Sequence, residues 1–492
     1  PYIGINMYTT MTQNANEKYK FGTKPYKHQL EVFNESRDRK EYAFFMEMGT
    51  GKSKVAIDTF SWLYDQGRIN SVLIVCPKGA YNNWFSREIP THLPEHVRYN
   101  MAIWNGKYNV RQKQSMESIQ LPTEDLRIFI INVEALSTKR AFKAAKNFIM
   151  GSRCMMVVDE STTIKNPAAT RTKAVMKLGL DAQYRRILSG QPIANSPMDI
   201  YSQMNFLGEH ILGFSSFYSF RSRYAIVQKM NLGSRSFSKI VGFQRLDELE
   251  VMLQPWSSRI TKDDCLDLPD KVYSTREVTM PKEQQKLYDH MRDRAIASIE
   301  DEDCSAQNVL TQLIRLHQIC CGHVTTDNGE IIHIETFRMQ ELLAAIEEVH
   351  GKVIIWATYR ADIKMIIQQL TSIYGKQACV DYYGDTKDTI RVQNIERFQG
   401  DDDTRFFVGN PQTGGMGITL TASSTVVYYS NSYNLEHRIQ SEDRAHRIGQ
   451  TNKVTYIDLI CKNTVDEKIV TALKAKKQLA SVVMGDEIRS WL

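Results

Sequence analysis

Short apolar runs rich in β-branched and aromatic residues punctuate the first half of the chain: YAFFM at 42–46, SVLIV at 71–75, RIFII at 127–131, CMMVV at 154–158 and RRILS at 185–189. Helical-looking stretches separate them. Strands alternating with helices predict an α/β architecture, a mostly parallel sheet flanked by helices, with ligand chemistry at the carboxyl ends of the strands. The second half repeats the rhythm with KVIIW (352–356), ACVDYY (378–383), RFFVG (405–409), TVVYY (425–429) and VTYIDLI (454–460). Two lobes are therefore expected. Between them, residues of about 210–345 read as mostly helical, beginning with the aromatic and basic segment FSSFYSFRSRY (214–224). After the last run, VDEKIVTALKAKKQLASVVM (465–484) has helical periodicity and is expected to pack back as a C-terminal brace helix. The expected boundaries are an extension over 1–20, a first lobe over 21–262 with a helical protrusion at about 210–258, a linker over 263–345, a second lobe over 346–462 and the brace over 463–492.

Composition adds bounds to this picture. A chain of 492 residues suits two or three domains at roughly 100–200 residues each. With 42% hydrophobic and 24% charged residues it has enough apolar material for sizeable cores. Lys and Arg exceed Asp and Glu by 62 to 56, a net charge of +6 that permits a polyanionic partner without requiring one. The eight cysteines form no C-x-x-C pair, and the adjacent Cys320 and Cys321 are poorly placed for a bridge, which suggests reduced thiols. His317, Cys320, Cys321 and His323 crowd four candidate ligands into seven residues, a spacing that fits tetrahedral zinc poorly. No apolar run approaches the ~18 residues of a membrane span, and PYIGINMYTT does not read as a signal peptide. The expected setting is intracellular, either cytoplasmic (in a bacterial or viral host) or nuclear, with no membrane partner and a monomeric state.

The densest chemistry follows the first strand. EMGTGKS (47–53) lies between a strand and a helix, the context in which a glycine-rich loop cradles phosphate. Gly49 and Gly51 let the backbone, with Thr50, turn its N–H groups toward phosphate oxygens; Lys52 neutralises the β and γ charges and Ser53 ligates Mg²⁺. Met46 stands where the G-x-x-x-x-G-K-[ST] pattern has its first glycine. The run CMMVV delivers Asp159 and Glu160 at a strand end, where Asp159 suits the Mg²⁺ side and Glu160 the orientation of an attacking water. In LEHRIQSEDRAHRIGQ (435–450), Gln440, Arg444 and Arg447 stand at i, i+4 and i+7, expected on one helix face, and two guanidinium groups there suit stabilisation of γ-phosphoryl charge. A solvated basic helix face is the alternative.

Together these segments resemble the Swi/Snf-type branch of the superfamily 2 helicase-like ATPases, from about residue 24 to 485. DESTTIKNP (159–167) and DRAHRIGQ (443–450) carry the resemblance most specifically. PYKHQ (25–29), with Gln29, resembles the adenine-side motif; LIVCPKGAYNNW (73–84) resembles the first DNA-side motif. LSGQPIANSPMDIYSQMNFL (188–207) resembles the segment that couples hydrolysis to lobe movement. VIIWATYR (353–360), GNPQTGGMGITLTAS (409–423) and LIRLHQICCGH (313–323) resemble second-lobe motifs and the linker helix, and RITKDDCLDLPDK (259–271), with Arg259 and Lys262, a hinge segment. Ser161 and Thr162 replace the usual Ala-His, Ser189-Gly190-Gln191-Pro192 replaces Thr-Gly-Thr-Pro, and Thr413 stands where Ala or Val is frequent.

The resemblance implies two RecA-like lobes with helical insertions, ATP and Mg²⁺ as cofactors, and double-stranded DNA, forked or branched forms included, as the track. It implies DNA contacts at Lys78, Trp84, Lys165, Asn166, Thr358, Tyr359 and Arg360 and at the backbone of Gly415 and Gly417; a packed ring is the ordinary reading of Trp84. The implied activity is a DNA-stimulated ATPase that translocates on duplex DNA in repair, recombination, replication or viral DNA handling. Alternatives are a strand-separating or annealing, branch-migrating helicase, the motor subunit of a defence assembly, and, in another class, a non-hydrolysing DNA-binding scaffold.

Overall fold

The structure is a computed structural model and describes residues 19–484 except 107–108, 122, 233–234, 301–305, 327 and 415–417. It divides into two compact units. One comprises residues up to 226 with 242–266 and 480–484; the other comprises 227–241 and 267–479.

Nine strands precede residue 261: β1 Glu41–Met46, β2 Ser71–Cys76, β3 Tyr99–Ile103, β4 Leu126–Asn132, β5 Cys154–Asp159, β6 Tyr184–Leu188, β7 Ala225–Leu232, β8 Arg235–Phe243 and β9 Ser257–Ile260. Seven form the first unit's sheet in the order β3-β4-β2-β5-β6-β1-β9. Each neighbouring pair is parallel, with Ile74 opposite Ile130 on one side and Val157 on the other. All six residues of β2 and all six of β5 are buried, as a parallel sheet covered on both faces requires. Helices α1 Lys27–Ser36 and α2 Lys52–Asp65 lie on this sheet through Phe33, Val55 and Phe60. Helix α3 Ile200–Leu207 follows β6 and is nearly all buried.

The second unit holds β10 Lys271–Glu277, β11 His323–Thr325, β12 Ile331–His333, β13 Lys352–Trp356, β14 Cys379–Tyr382, β15 Phe406–Gly409, β16 Ser423–Tyr428 and β17 Val454–Ile460. Its parallel six-stranded sheet runs β10-β17-β16-β13-β15-β14. Alternate residues of β13 serve opposite faces: Val353 and Ile355 enter one core, Ile354 and Trp356 the other. Around the sheet lie helices α4 Ala306–Cys321, α5 Arg338–Glu347, α6 Arg360–Tyr374, α7 Leu435–Ala445 and, up to residue 479, α8 Val465–Met484. The first half of α8 packs Ile469 and Leu473 on Leu435 and Ile439 of α7.

The ten apolar runs are all strands, and both sheets are parallel, as expected. The region of 210–345 is less helical than its sequence suggests. It contains the two-stranded sheets β7–β8 and β11–β12, the latter antiparallel, and also β9 and β10, each of which extends the edge of a large sheet. Edge strands have one paired side and one open side, and β10 (KVYSTRE) is polar at five of seven positions, has no fully buried residue and carries no continuous apolar run. Among the described residues no helix is long and apolar enough to cross a membrane.

Candidate active site

Strand β1 ends at Met46, and the loop from Glu47 to Gly51 turns the chain into α2. Gly49 and Gly51 have φ of +90° and +94°, a left-handed region that side chains disfavour. A Cβ on Gly49 would meet nothing, whereas one on Gly51 would lie 2.2 Å from Gln29 Nε2. Gln29 approaches because its amide donates to the Thr50 carbonyl at 3.1 Å, and the His28 ring donates to the same oxygen at 2.8 Å. The Glu47 carbonyl accepts from the Thr50 hydroxyl at 2.8 Å and from Lys52 Nζ at 3.3 Å. Two carbonyls are thus held by protein donors. The first N–H groups of α2, including those of Lys52 and Ser53, have no intrahelical acceptor, so this end of the helix suits an anion. Met46 is a fully buried strand residue, and its backbone is not part of the turn, so no glycine is needed there.

Asp159 and Glu160 close β5. The Asp159 carboxylate is 9% exposed and accepts from the Trp84 indole at 2.8 Å and from the Glu160 N–H at 3.0 Å. Burial raises its pKa, opposed by the Trp84 hydrogen bond and by the charge of Lys52, which places the phosphate-loop lysine and this acid in one electrostatic neighbourhood. Glu160 is partly exposed and has a φ of 47°, in the left-handed region, where the chain leaves the strand. The edge strand β9 joins the same site. Arg259 donates to the Gly190 carbonyl at 3.1 Å and pairs with Glu47 at 3.5 Å, and the Lys262 N–H donates to Glu47 at 3.0 Å.

Trp84 requires a correction. Its ring is 1% exposed and its only polar atom is committed to Asp159, so it has no face on which a base could stack. The other first-unit positions expected at DNA lie outside carboxyl ends of strands: Lys78 and Asn166 are exposed and Lys165 is partly exposed.

In the second unit, Thr358, Tyr359 and Arg360 follow β13. The Thr358 N–H donates to Ser430 Oγ at 2.9 Å, and the Tyr359 hydroxyl lies 2.8 Å from His317 Nδ1. Arg360 is exposed and pairs with Asp385 at 2.9 Å. Gly415 and Gly417 lie outside the described residues. Gln440 bonds Glu436 at 3.2 Å on α7. The helix ends at Ala445, and His446 has a ψ of 83°, so Arg447 does not share the helix face of Gln440 and Arg444 as its spacing suggested. The two arginines meet differently: Arg444 Nη1 and Arg447 Nη1 donate to one acceptor, the Ile418 carbonyl, at 3.3 and 3.0 Å. Arg444 is fully buried; Arg447 is partly exposed.

His317 and His323 turn to separate acids, Asp466 at 3.5 Å and Asp362 at 2.9 Å, and Cys320 and Cys321 are free buried thiols. Among the described residues no group of three or more His, Cys, Asp or Glu side chains gathers around a metal position. Sequence reasoning missed His28, Glu47 and Gln203, whose contacts link segments far apart along the chain.

Residues 27–324 match the SNF2-related domain, and residues 337–449 match the helicase conserved C-terminal domain. An uncharacterized ATP-dependent helicase of Mycoplasma pneumoniae is 27% identical over 453 residues, covering 90% of this chain and 40% of its own length. The ISWI chromatin-remodeling complex ATPase ISW1 of Saccharomyces cerevisiae is 25% identical over 458 residues, covering 89% and 38% respectively. The chain therefore spans less than half the length of either relative. The Sulfolobus solfataricus SWI2/SNF2 ATPase core in complex with dsDNA aligns over 96% of this chain and 95% of its own at 25% identity and a TM-score of 0.42.

Proposed function

Because the chain belongs to the SNF2-related family, we propose that it is an ATP-hydrolysing motor whose track is double-stranded DNA. The observation that carries this reading is the phosphate loop: a left-handed Gly49 and Gly51, the amino end of α2, and Lys52 in the field of the buried Asp159. Such a loop binds a polyphosphate through N–H groups and one ammonium charge.

In this reading Gln29 and His28 hold the loop from the base side, Lys52 takes the β and γ phosphates, and Glu160 orients the attacking water. Mg²⁺ would be held by the Ser53 hydroxyl and the Asp159 carboxylate, hard oxygen donors of the kind it prefers, and would neutralise charge between the β and γ oxygens. A site with one carboxylate suits a cation that keeps several waters and takes its other ligands from phosphate. Arg447 is the finger that meets developing γ-phosphoryl charge. Arg444, bound to the same Ile418 carbonyl, positions it, and Gln440 is a further polar group on α7.

Lys78, Lys165 and Arg360 are proposed phosphate contacts, with Asn166, Thr358, Tyr359 and the Gly415 and Gly417 backbone beside them. Contacts to phosphate rather than to base edges permit travel over any sequence. The chromatin-remodeling and helicase names of the relatives support a nucleic-acid track. Lys52→Ala tests the assignment: ATP hydrolysis should vanish while duplex DNA is still retained. Hydrolysis at the wild-type rate by that variant would refute it.

A further inference from the structure

Ser161 and Gln203 are 42 residues apart, fully buried and joined by a short hydrogen bond: the Ser161 hydroxyl donates to Gln203 Oε1 at 2.6 Å. Ser161 follows Glu160 directly. Gln203 sits on α3, and its Nε2 donates to two carbonyls, Pro192 at 2.7 Å and Asp199 at 2.8 Å. Asp199 in turn caps the preceding turn, its carboxylate accepting from the N–H groups of Ala194 and Asn195 at 3.1 and 2.7 Å. The turn that contains Pro192 also contains Gly190, where a Cβ would stand 3.3 Å from the Met48 nitrogen and 3.5 Å from the Met46 carbonyl oxygen. A path of contacts therefore runs from Glu160 through Ser161 and Gln203 to the 190–199 turn, whose Gly190 carbonyl accepts from Arg259, the partner of Glu47 at the start of the phosphate loop.

In this chain Glu160 has such an anchor. Its φ of 47° is one that residues other than glycine rarely hold unless neighbouring contacts impose it. On one side, its N–H is tied to the Asp159 carboxylate. On the other, the Ser161 side chain ties the next residue to α3. A second bond, from the Ser202 hydroxyl to the Lys165 carbonyl at 3.2 Å, fastens the same helix to the far end of the turn after β5. A buried glutamine with both ends of its amide engaged is stiff, and stiffness is what a positioning group requires.

We propose that Ser161 and Gln203 are a positioning pair: they set the Glu160 carboxylate relative to the phosphate loop. Neither side chain touches the nucleotide. The inference rests on the proposed role of Glu160 in hydrolysis. Because the pair acts on orientation rather than binding, its loss should lower kcat and leave the KM for ATP unchanged.

The experiment compares steady-state ATPase kinetics of the wild type, Ser161→Ala, Gln203→Met and the double variant, with duplex DNA present and thermal melting recorded alongside. Each single variant is expected to lose kcat by roughly ten- to a hundredfold, the effect of a small misplacement, with KM changed less than about twofold. The double variant is expected to fall no further than the worse single, because one bond is lost in all three. Wild-type kcat in Ser161→Ala overturns the proposal, as does a lowered melting temperature with kcat intact. Additive losses in the double variant overturn the pairing. If Gln203→Met does not fold, the kcat of Ser161→Ala decides alone. A wild type that hydrolyses no ATP would instead refute the proposed function on which the pair depends.

Discussion

Replacing Trp84 with Phe removes one N–H and part of one ring from the interior of the first unit. The indole donates at 2.8 Å to a carboxylate that is 9% exposed, so the lost bond is one to a charged group, worth about 1.5–3 kcal/mol. The smaller ring leaves a gap of roughly 40 Å³, which at ~24 cal/mol per Å³ adds about 1 kcal/mol. A total of about 2.5–4 kcal/mol is a large part of a typical domain stability and lowers the melting temperature by on the order of 10 °C for a unit of this size. Affinity for duplex DNA should stay within about twofold, because the ring has no exposed face. Urea denaturation and fluorescence anisotropy on the same preparation check both numbers. A variant that keeps its stability but binds DNA tenfold more weakly would show that Trp84 works at the track, and the structural account of this residue would be wrong.

The two loop glycines should respond differently to Ala. Gly49→Ala meets only the left-handed backbone penalty, about 1–2 kcal/mol, whereas Gly51→Ala adds a 2.2 Å clash with Gln29; titration with a fluorescent ATP analogue should rank Gly51→Ala clearly weaker, and equal affinities would contradict the loop geometry. Glu442 supplies a pH test. Burial pushes its pKa up, but Lys271 and Arg438 outweigh that and hold it at about 2. A depressed acid contributes stability that is present above its unfolded value, near 4.5, and lost as pH falls through about 2, roughly 3 kcal/mol in all. Denaturation midpoints from pH 6 to pH 2 should therefore fall more steeply for the wild type than for Glu442→Gln, and parallel curves would contradict the buried pairing.

Much of the fold was legible because strands of a parallel sheet covered on both faces must be continuously apolar, and runs such as SVLIV and KVIIW stand out in any context. The edge strands β3, β9 and β10 bury fewer positions and left no such mark. The placement of Lys52 after a glycine turn and of Asp159 and Glu160 at a strand end was readable because strand end, glycine turn and helix start are local features. Trp84 was not readable, because an aromatic residue after a strand looks the same whether its ring faces a buried acid or the solvent. Arg447 was misplaced because the first helix-ending signal in the sequence is Gly449, four residues past the observed end of α7. Contacts such as Ser161 to Gln203 or Gln29 to Thr50 join distant segments, and no local pattern announces them.

The central claim is an ATP motor on duplex DNA, and its most direct test is the steady-state ATPase rate of the same preparation with blunt duplex DNA, single-stranded DNA and RNA, measured side by side. The account predicts hydrolysis in all three, with the greatest stimulation by the duplex and a loss of stimulation as salt rises, since the proposed contacts are to phosphate. Stimulation by RNA alone, or hydrolysis indifferent to every nucleic acid, would contradict it.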